Sequence, residues 1–214
     1  MGAWNLKEFK TLCLSSGLDK AWFYTENLTL KWNAAIYHKD NIQKKIAELN
    51  FNSFLEKAPA YDYEIAFELN ALMTTLNSMW DILGQLINEC FIRPKIRASS
   101  LYFDNILNNK IDNIRQNSIP PEIHQILKSI QGNKHYHTIK AFANVSKHRQ
   151  AIQGAIHIDV SEKPTKKSYV TTEFEYKEKW YKLTIDDAFR CWQFMDDVGN
   201  PVDQLGAKIH ELVR

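Results

Sequence analysis

Apolar residues recur at intervals of three and four along most of this chain, and the breaks in that rhythm divide it into helices. A short amphipathic start carries Trp4, Leu6, Phe9, Leu12 and Cys13 and closes at Ser15, Ser16 and Gly17. The next run, from Asp19 to Leu49, sets Trp22, Leu28, Trp32, Ala35, Ile36, Ile42, Ile46 and Leu49 mostly at helical spacing, with Thr25 and Asn27 able to cap a fresh start inside it. Pro59 predicts a loop. From Tyr61 to Phe91 the period is clearest, and Ile65, Leu69, Leu72, Met73, Leu76, Met79, Trp80, Leu83, Leu86, Ile87 and Cys90 cover one broad face of a long helix.

The other face of that helix is the informative one. Asn70, Thr74, Asn77, Asp81, Gly84 and Asn88 form a stripe that is polar, almost uncharged and free of lysine. Solvated helix faces carry mixed Lys and Glu, so this stripe is expected to lie under cover, with Asp81 as a sheltered acid in want of a partner. Arg93-Pro94 stops the helix, and a peripheral, Asn-rich one is predicted from Ser99 to Gln116. Pro120 and Pro121 suit a first helical turn, and Glu122 to Gln131 continues it to Gly132. Another helix is predicted from His135 to Ile152.

Past Gly154 the rhythm changes to alternation. Ala155 to Val160, Tyr169 to Tyr176 and Trp180 to Thr184 are rich in β-branched and aromatic residues, which predicts an antiparallel hairpin or three-stranded sheet, linked by a polar turn over Ser161 to Ser168. Helical period returns from Ile185 to Val213, interrupted at Gly199-Asn200-Pro201. The expected fold is mainly α: one domain over 1–214, with a helical bundle from 1–153 and 185–213 and a small antiparallel β element at 155–184 inserted before the C-terminal helix.

Charge is segregated. Between Ile123 and Ile158 there is no Asp or Glu, while Lys128, Lys134, Lys140, Lys147 and Arg149 are positive. From Ala58 to Ile92 there is no Lys or Arg, and Asp62, Glu64, Glu68, Asp81 and Glu89 are the only formal charges. The net charge of +2 therefore hides two biased helices, expected to lie side by side, the acidic facing the basic. Cys13, Cys90 and Cys191 are an odd number with no metal-ligand spacing, which argues against a disulfide framework and suits a reducing cytoplasm. No apolar run approaches the roughly 20 residues a membrane helix needs, and the first residues carry neither a signal-peptide core nor a myristoylation pattern.

The candidate chemistry lies in the basic helix. At about 100° per residue, His137, Ala141, Asn144, Val145, His148 and Ile152 share one strip, which small and apolar members mark as a packing face. Two uses of its polar residues are open. In the first, His148 is an acid or base titrating near neutrality, Asp81 or Asn144 orients its ring, and Lys147, Arg149 and Lys140 bind phosphate, with Asn88 and His137 in support. In the second, Asp81 and Asn88 merely hold His148, Asn144 and Arg149 to fix helix register. No metal or other cofactor is expected: His137 and His148 lie about 16 Å apart along the axis, too far to share an ion. Gly-rich phosphate loops, GxSxG and HExxH are absent.

The stretch Ala143-Asn144-Val145-Ser146-Lys147-His148 resembles the motif of the HEPN superfamily, which reads Arg, a polar residue, three variable positions and His. It is closer to an HEPN-like branch with Asn, two residues, then Lys-His-Arg, and with an earlier Asp before a Gln-Leu-Ile-Asn run, here Asp81 and Gln85-Leu86-Ile87-Asn88. The resemblance covers about Tyr61 to Ile152. It implies a helical protein that dimerises through its motif helices. For active members it implies metal-independent RNA cleavage with His148 as acid/base and an Arg stabilising the phosphate, in a bacterial toxin or defence setting. Ala143 stands where the nuclease members carry that Arg. Two functions are thus expected of the chain: an HEPN-like protein that binds RNA or nucleotide phosphate, as a diverged ribonuclease, or a non-catalytic helical interaction module with Trp180, Tyr181 and the sheet as partner surface.

Overall fold

The computed structural model describes residues 4–49, 51–93, 95–97, 99, 101–107, 119–148, 152–161, 166–196 and 201–214. Among them are eight helices: α1 (Leu6–Ser15), α2 (Asp19–Glu48), α3 (Phe51–Phe91), α4 (Phe103–Leu107), α5 (Pro121–Gln131), α6 (Lys134–His148), α7 (Ile185–Asp196) and α8 (Pro201–Val213). Between α6 and α7 lie four short strands, β1 (Gly154–Asp159), β2 (Lys166–Thr171), β3 (Phe174–Tyr176) and β4 (Lys179–Tyr181). The protein is mainly α, with small antiparallel sheets ahead of its last two helices.

Local chemistry places several helix ends. The side chain of Asn5 accepts from the Glu8 amide at 3.1 Å and caps α1. Pro121 opens α5 where a missing N–H costs nothing, and the Gly132 amide closes it on the Lys128 carbonyl at 3.1 Å. Pro201 likewise opens α8, while 197–200, with Gly199 and Asn200, lie outside the described residues. Thr25 does not restart a helix: its hydroxyl bonds the Ala21 carbonyl at 2.9 Å within an unbroken α2.

Three boundaries differ from expectation. Pro59 marks no loop; it lies inside α3, which begins at Phe51. An interior proline costs about 3 kcal/mol, and the long apolar face downstream outweighs it. The helix predicted over Ser99–Gln116 starts, among the described residues, at Phe103 and is described as α4 to Leu107; 108–118 lie outside the described residues. The strand predicted from Tyr169 to Tyr176 splits, because the Thr171 amide turns to Leu183 O (2.9 Å) and the Thr172 amide to Gln153 O (2.8 Å). The result is two hairpins. β1 pairs with β2 from Gly154↔Thr171 to Asp159↔Lys166, and β3 with β4 from Phe174↔Tyr181 to Tyr176↔Lys179. Lys177 and Glu178, at φ 51° and 61°, form the left-handed two-residue turn that a right-twisted hairpin favours. Of the predicted polar link, 162–165 lie outside the described residues.

Two compact units divide the chain: Met1–Trp32, Ser78–Tyr136 and Gln193–Arg214 form the first; Asn33–Asn77 and His137–Trp192 the second. In the first, α5 packs along α8, and Trp80 is buried against the rings of Phe103, Tyr136 and Phe194. In the second, Ile42, Ile65, Leu69, Leu72, Phe142, Val145 and Tyr169 are all buried. Gly154 opens β1 there because any side chain would meet the Tyr169 ring 2.7 Å away. No described helix is long and apolar enough to cross a membrane.

Candidate functional site

The basic helix α6 is described over Lys134–His148, and the predicted end, Ile152, is not helical. Arg149 and 150–151 lie outside the described residues, and Ile152 is buried beyond the helix. Ala141, Phe142, Ala143 and Val145 are buried, with Phe142 edge-on to Phe174 at 5.5 Å between ring centres. The apolar face of α6 is therefore filled by its own chain. His137, Lys147 and His148 are exposed, Lys140 and Asn144 half-buried, and the Asn144 amide donates to the Lys140 carbonyl at 2.8 Å.

Exposure settles how the strip is used at its ends. His148 and His137 point to solvent, so neither ring is sealed in a core. Their strip was expected to pack throughout; along α6 it is exposed at His137 and His148 and buried between them at Ala141 and Val145. Lys147 and His148 also lie in the last turn, where positive charge complements the partial negative charge of the helix carbonyls. A phosphate bound there would have to compete with that local field. Ala143, at the position where the nuclease motif carries Arg, is fully buried.

The residue that organises this end of α6 is Asn70, on α3. Its Oδ1 accepts from Ser146 Oγ (2.5 Å) and the Ile152 amide (3.4 Å); its Nδ2 donates to Ile152 O (2.9 Å) and Ala66 O (2.7 Å). One side chain thus ties the chain on both sides of 149–151 to α3. Asn70→Ala is expected to cost about 1–3 kcal/mol, since it strands two peptide groups and a hydroxyl. A chemical melt should show the loss together with faster exchange at the Ile152 amide; an unchanged midpoint would refute it.

Asp81 and Asn88 lie in the other unit from His148 and Asn144 and use their side chains on the segment that follows α3. Asp81 Oδ1 accepts from the Phe103 amide at 3.4 Å. Asn88 holds Ile96 from both sides, donating to its carbonyl and accepting from its amide, each at 2.9 Å. Gly84 lies against the same segment, where an added Cβ would stand 3.3 Å from Phe103 Cα. The polar stripe of α3 is under cover, and the cover is the protein's own chain: 146 and 152 at one end, 96–103 at the other.

The acids of α3 also find partners away from the lysines of α6. Glu68 bonds His38 Nδ1 (2.6 Å) and Asn41 (2.9 Å); Glu64 pairs with Lys45; all three partners are on α2. The Lys45 ammonium donates to Glu64, and that hydrogen bond, with smaller help from Glu68 and Tyr61, holds it above its usual range. Glu89 pairs with Lys95, and Asp62 accepts from the Ile156 amide at 2.8 Å. The expected facing of acidic against basic helix overlooked α2. The signal was present: Asn41 and Lys45, four apart, match Glu68 and Glu64, also four apart, on an antiparallel neighbour.

A groove of about 370 Å³ in the same unit is lined by Gln43, Ile46, Ala47, Lys167, Ile185, Asp186 and Phe189, none of them a predicted site residue. The Lys167 ammonium is committed to Ala47 O and Leu49 O at the end of α2. Among the described residues no group of three His, Cys, Asp or Glu side chains is arranged to hold a metal. No family model, curated protein or solved structure matches the chain.

Proposed function

We propose that the chain is an HEPN-like protein that binds RNA or nucleotide phosphate at the C-terminal end of α6, and that any cleavage there is metal-independent. The observation that carries this is the joint exposure of Lys147 and His148 in a stretch without a carboxylate from 123 to 158. Lys147 supplies a point charge for a phosphate oxygen, and Lys140 lies two turns earlier. The His148 ring serves as base toward a ribose 2′-hydroxyl and, once protonated, as acid toward the leaving 5′-oxygen, with Asn144 one turn below. With Ala143 buried, transition-state charge falls to Lys147 and Arg149, the latter outside the described residues. Binding is therefore the stronger activity and cleavage the residual one.

Titration with a single-stranded RNA oligonucleotide is expected to show affinity that falls with salt. Lys147→Ala should reduce the slope of log K against log salt by about 1, and His148→Ala should abolish cleavage. Both residues are exposed, so both variants should melt within about 0.5 kcal/mol of the parent. Absence of salt-sensitive binding would remove this reading.

One observation favours the second reading, a non-catalytic interaction module. Trp180 on β4 is 69% exposed, with Tyr181 beside it stacked on Phe174 at 5.5 Å. In that case Asn70, Ser146 and Asn144 act only as structural ties, and His148→Ala changes nothing measured with RNA.

A further inference from the structure

We propose that two copies of this chain pair face to face through the outer surface of the α2–α3 hairpin, antiparallel, about a two-fold axis passing between residues 65 and 66. The polar ladder His38–Glu68, Asn41–Glu68, Lys45–Glu64 and Tyr61–Glu48 sets these parts of α2 and α3 side by side and antiparallel. Ile42, Ile65 and Leu69 fill the inner side. On the outer side, at about 100° per residue, lie Ala60, Tyr63, Phe67 and Ala71 of α3 and Tyr37 and Lys44 of α2. Phe67 is 71% exposed, Tyr63 69% and Tyr37 63%. Single exposed aromatics are ordinary; three on one face of one hairpin are not.

A second copy is the occupant because the stripe reads alike in both directions. Inversion about the midpoint of 65 and 66 brings Ala60 onto Ala71 of the other copy, where two small side chains allow close approach, and Tyr63 onto the turn that carries Phe67. The same operation lays α2 on α2. On α3, charge does not oppose the contact. The acids of α3 between 59 and 74 are Asp62, Glu64 and Glu68, and each is already engaged within its own chain, by the Ile156 amide, Lys45, and His38 with Asn41. Three aromatics about two-thirds exposed offer about 400 Å² per copy. With Ala60, Ala71 and the Lys44 stem the total over both copies reaches about 1,200 Å², the lower end of stable specific interfaces.

Sedimentation velocity on the full chain from about 1 to 200 µM tests this. A monomer–dimer equilibrium is expected, and Phe67→Glu should weaken it at least tenfold while leaving far-UV dichroism, melting temperature and the RNA titration unchanged. Mild oxidation of a mixture of A60C and A71C chains should give a disulfide-linked pair that neither variant gives alone. Should Phe67→Glu disturb the fold, Phe67→Ala and the crosslinking mixture decide. A chain that stays monomeric at the highest concentration, a dimer indifferent to Phe67, or one lost instead on changing His137 of α6 would each overturn the proposal, whatever the RNA titration shows.

Discussion

Trp80→Ala is expected to lower the free energy of unfolding by about 3–5 kcal/mol, the largest single loss predicted for this chain. Trp80 is 1% exposed, and its ring centre lies 5.3 Å from Phe103, 5.4 Å from Tyr136 and 6.0 Å from Phe194. It joins α3 to α4, the start of α6 and the end of α7. Tyr136 is fixed in turn by its hydroxyl, which donates to Asp104 at 2.6 Å. Truncation removes the indole's transfer energy and leaves a cavity that three rings from separate elements cannot close together. Trp80→Phe should cost far less, within about 1.5 kcal/mol, because the buried indole N–H finds no acceptor among the described residues and its removal relieves an unpaired donor. Urea unfolding followed by far-UV dichroism measures both. An alanine variant within about 1 kcal/mol of the parent would show that Trp80 is not the centre of its unit.

Gly206→Ala should destabilise the protein by about 1–3 kcal/mol, opposite in sign to the ordinary helical effect. In a helix interior the exchange of Gly for Ala normally gains about 1 kcal/mol. Here a Cβ would stand 2.7 Å from Trp4 Cζ3 and closer still to two other atoms of that ring. Trp4 cannot easily withdraw. It is 3% exposed, its amide donates to the buried Asp203 at 3.2 Å, and its ring packs edge-on to Phe9 at 5.5 Å. Phe9 in turn meets His210, on α8, at 5.5 Å. The decisive measurement is a double-mutant cycle. In a Trp4→Ala background the overlap is gone, and Gly206→Ala should become neutral or stabilising. A destabilisation that persists there would assign the effect to some other contact.

These two positions differ in how far sequence reasoning reaches them. Trp80 stands on the apolar face of α3, and its burial follows from the period of three and four. Gly206 falls inside a helical run with nothing local to mark it; the tryptophan that requires it lies near the other end of the chain.

The candidate site divides in the same way. That α6 is a basic helix, and that the α3 stripe is sheltered, can be read from residue order, since both follow from helical period and charge composition. Which groups meet is a different matter. Asn70, one member of that stripe, holds Ser146 and Ile152, while Asn88, another member, holds Ile96. Glu64 and Glu68 turn to α2 rather than to the lysines of α6.

By itself the sequence determined most of where helices and hairpins form, because hydrogen bonding at i to i+4, the Asn5 cap, Pro121 in the first turn of α5 and the spacing of apolar side chains act between neighbours in the chain. Only the tertiary structure decided the partners of each carboxylate and amide, the exposure of His148 and the space left at Gly206. Coulombic attraction and steric exclusion operate between whatever surfaces packing brings together, and the order of residues carries no address for the far side of a contact.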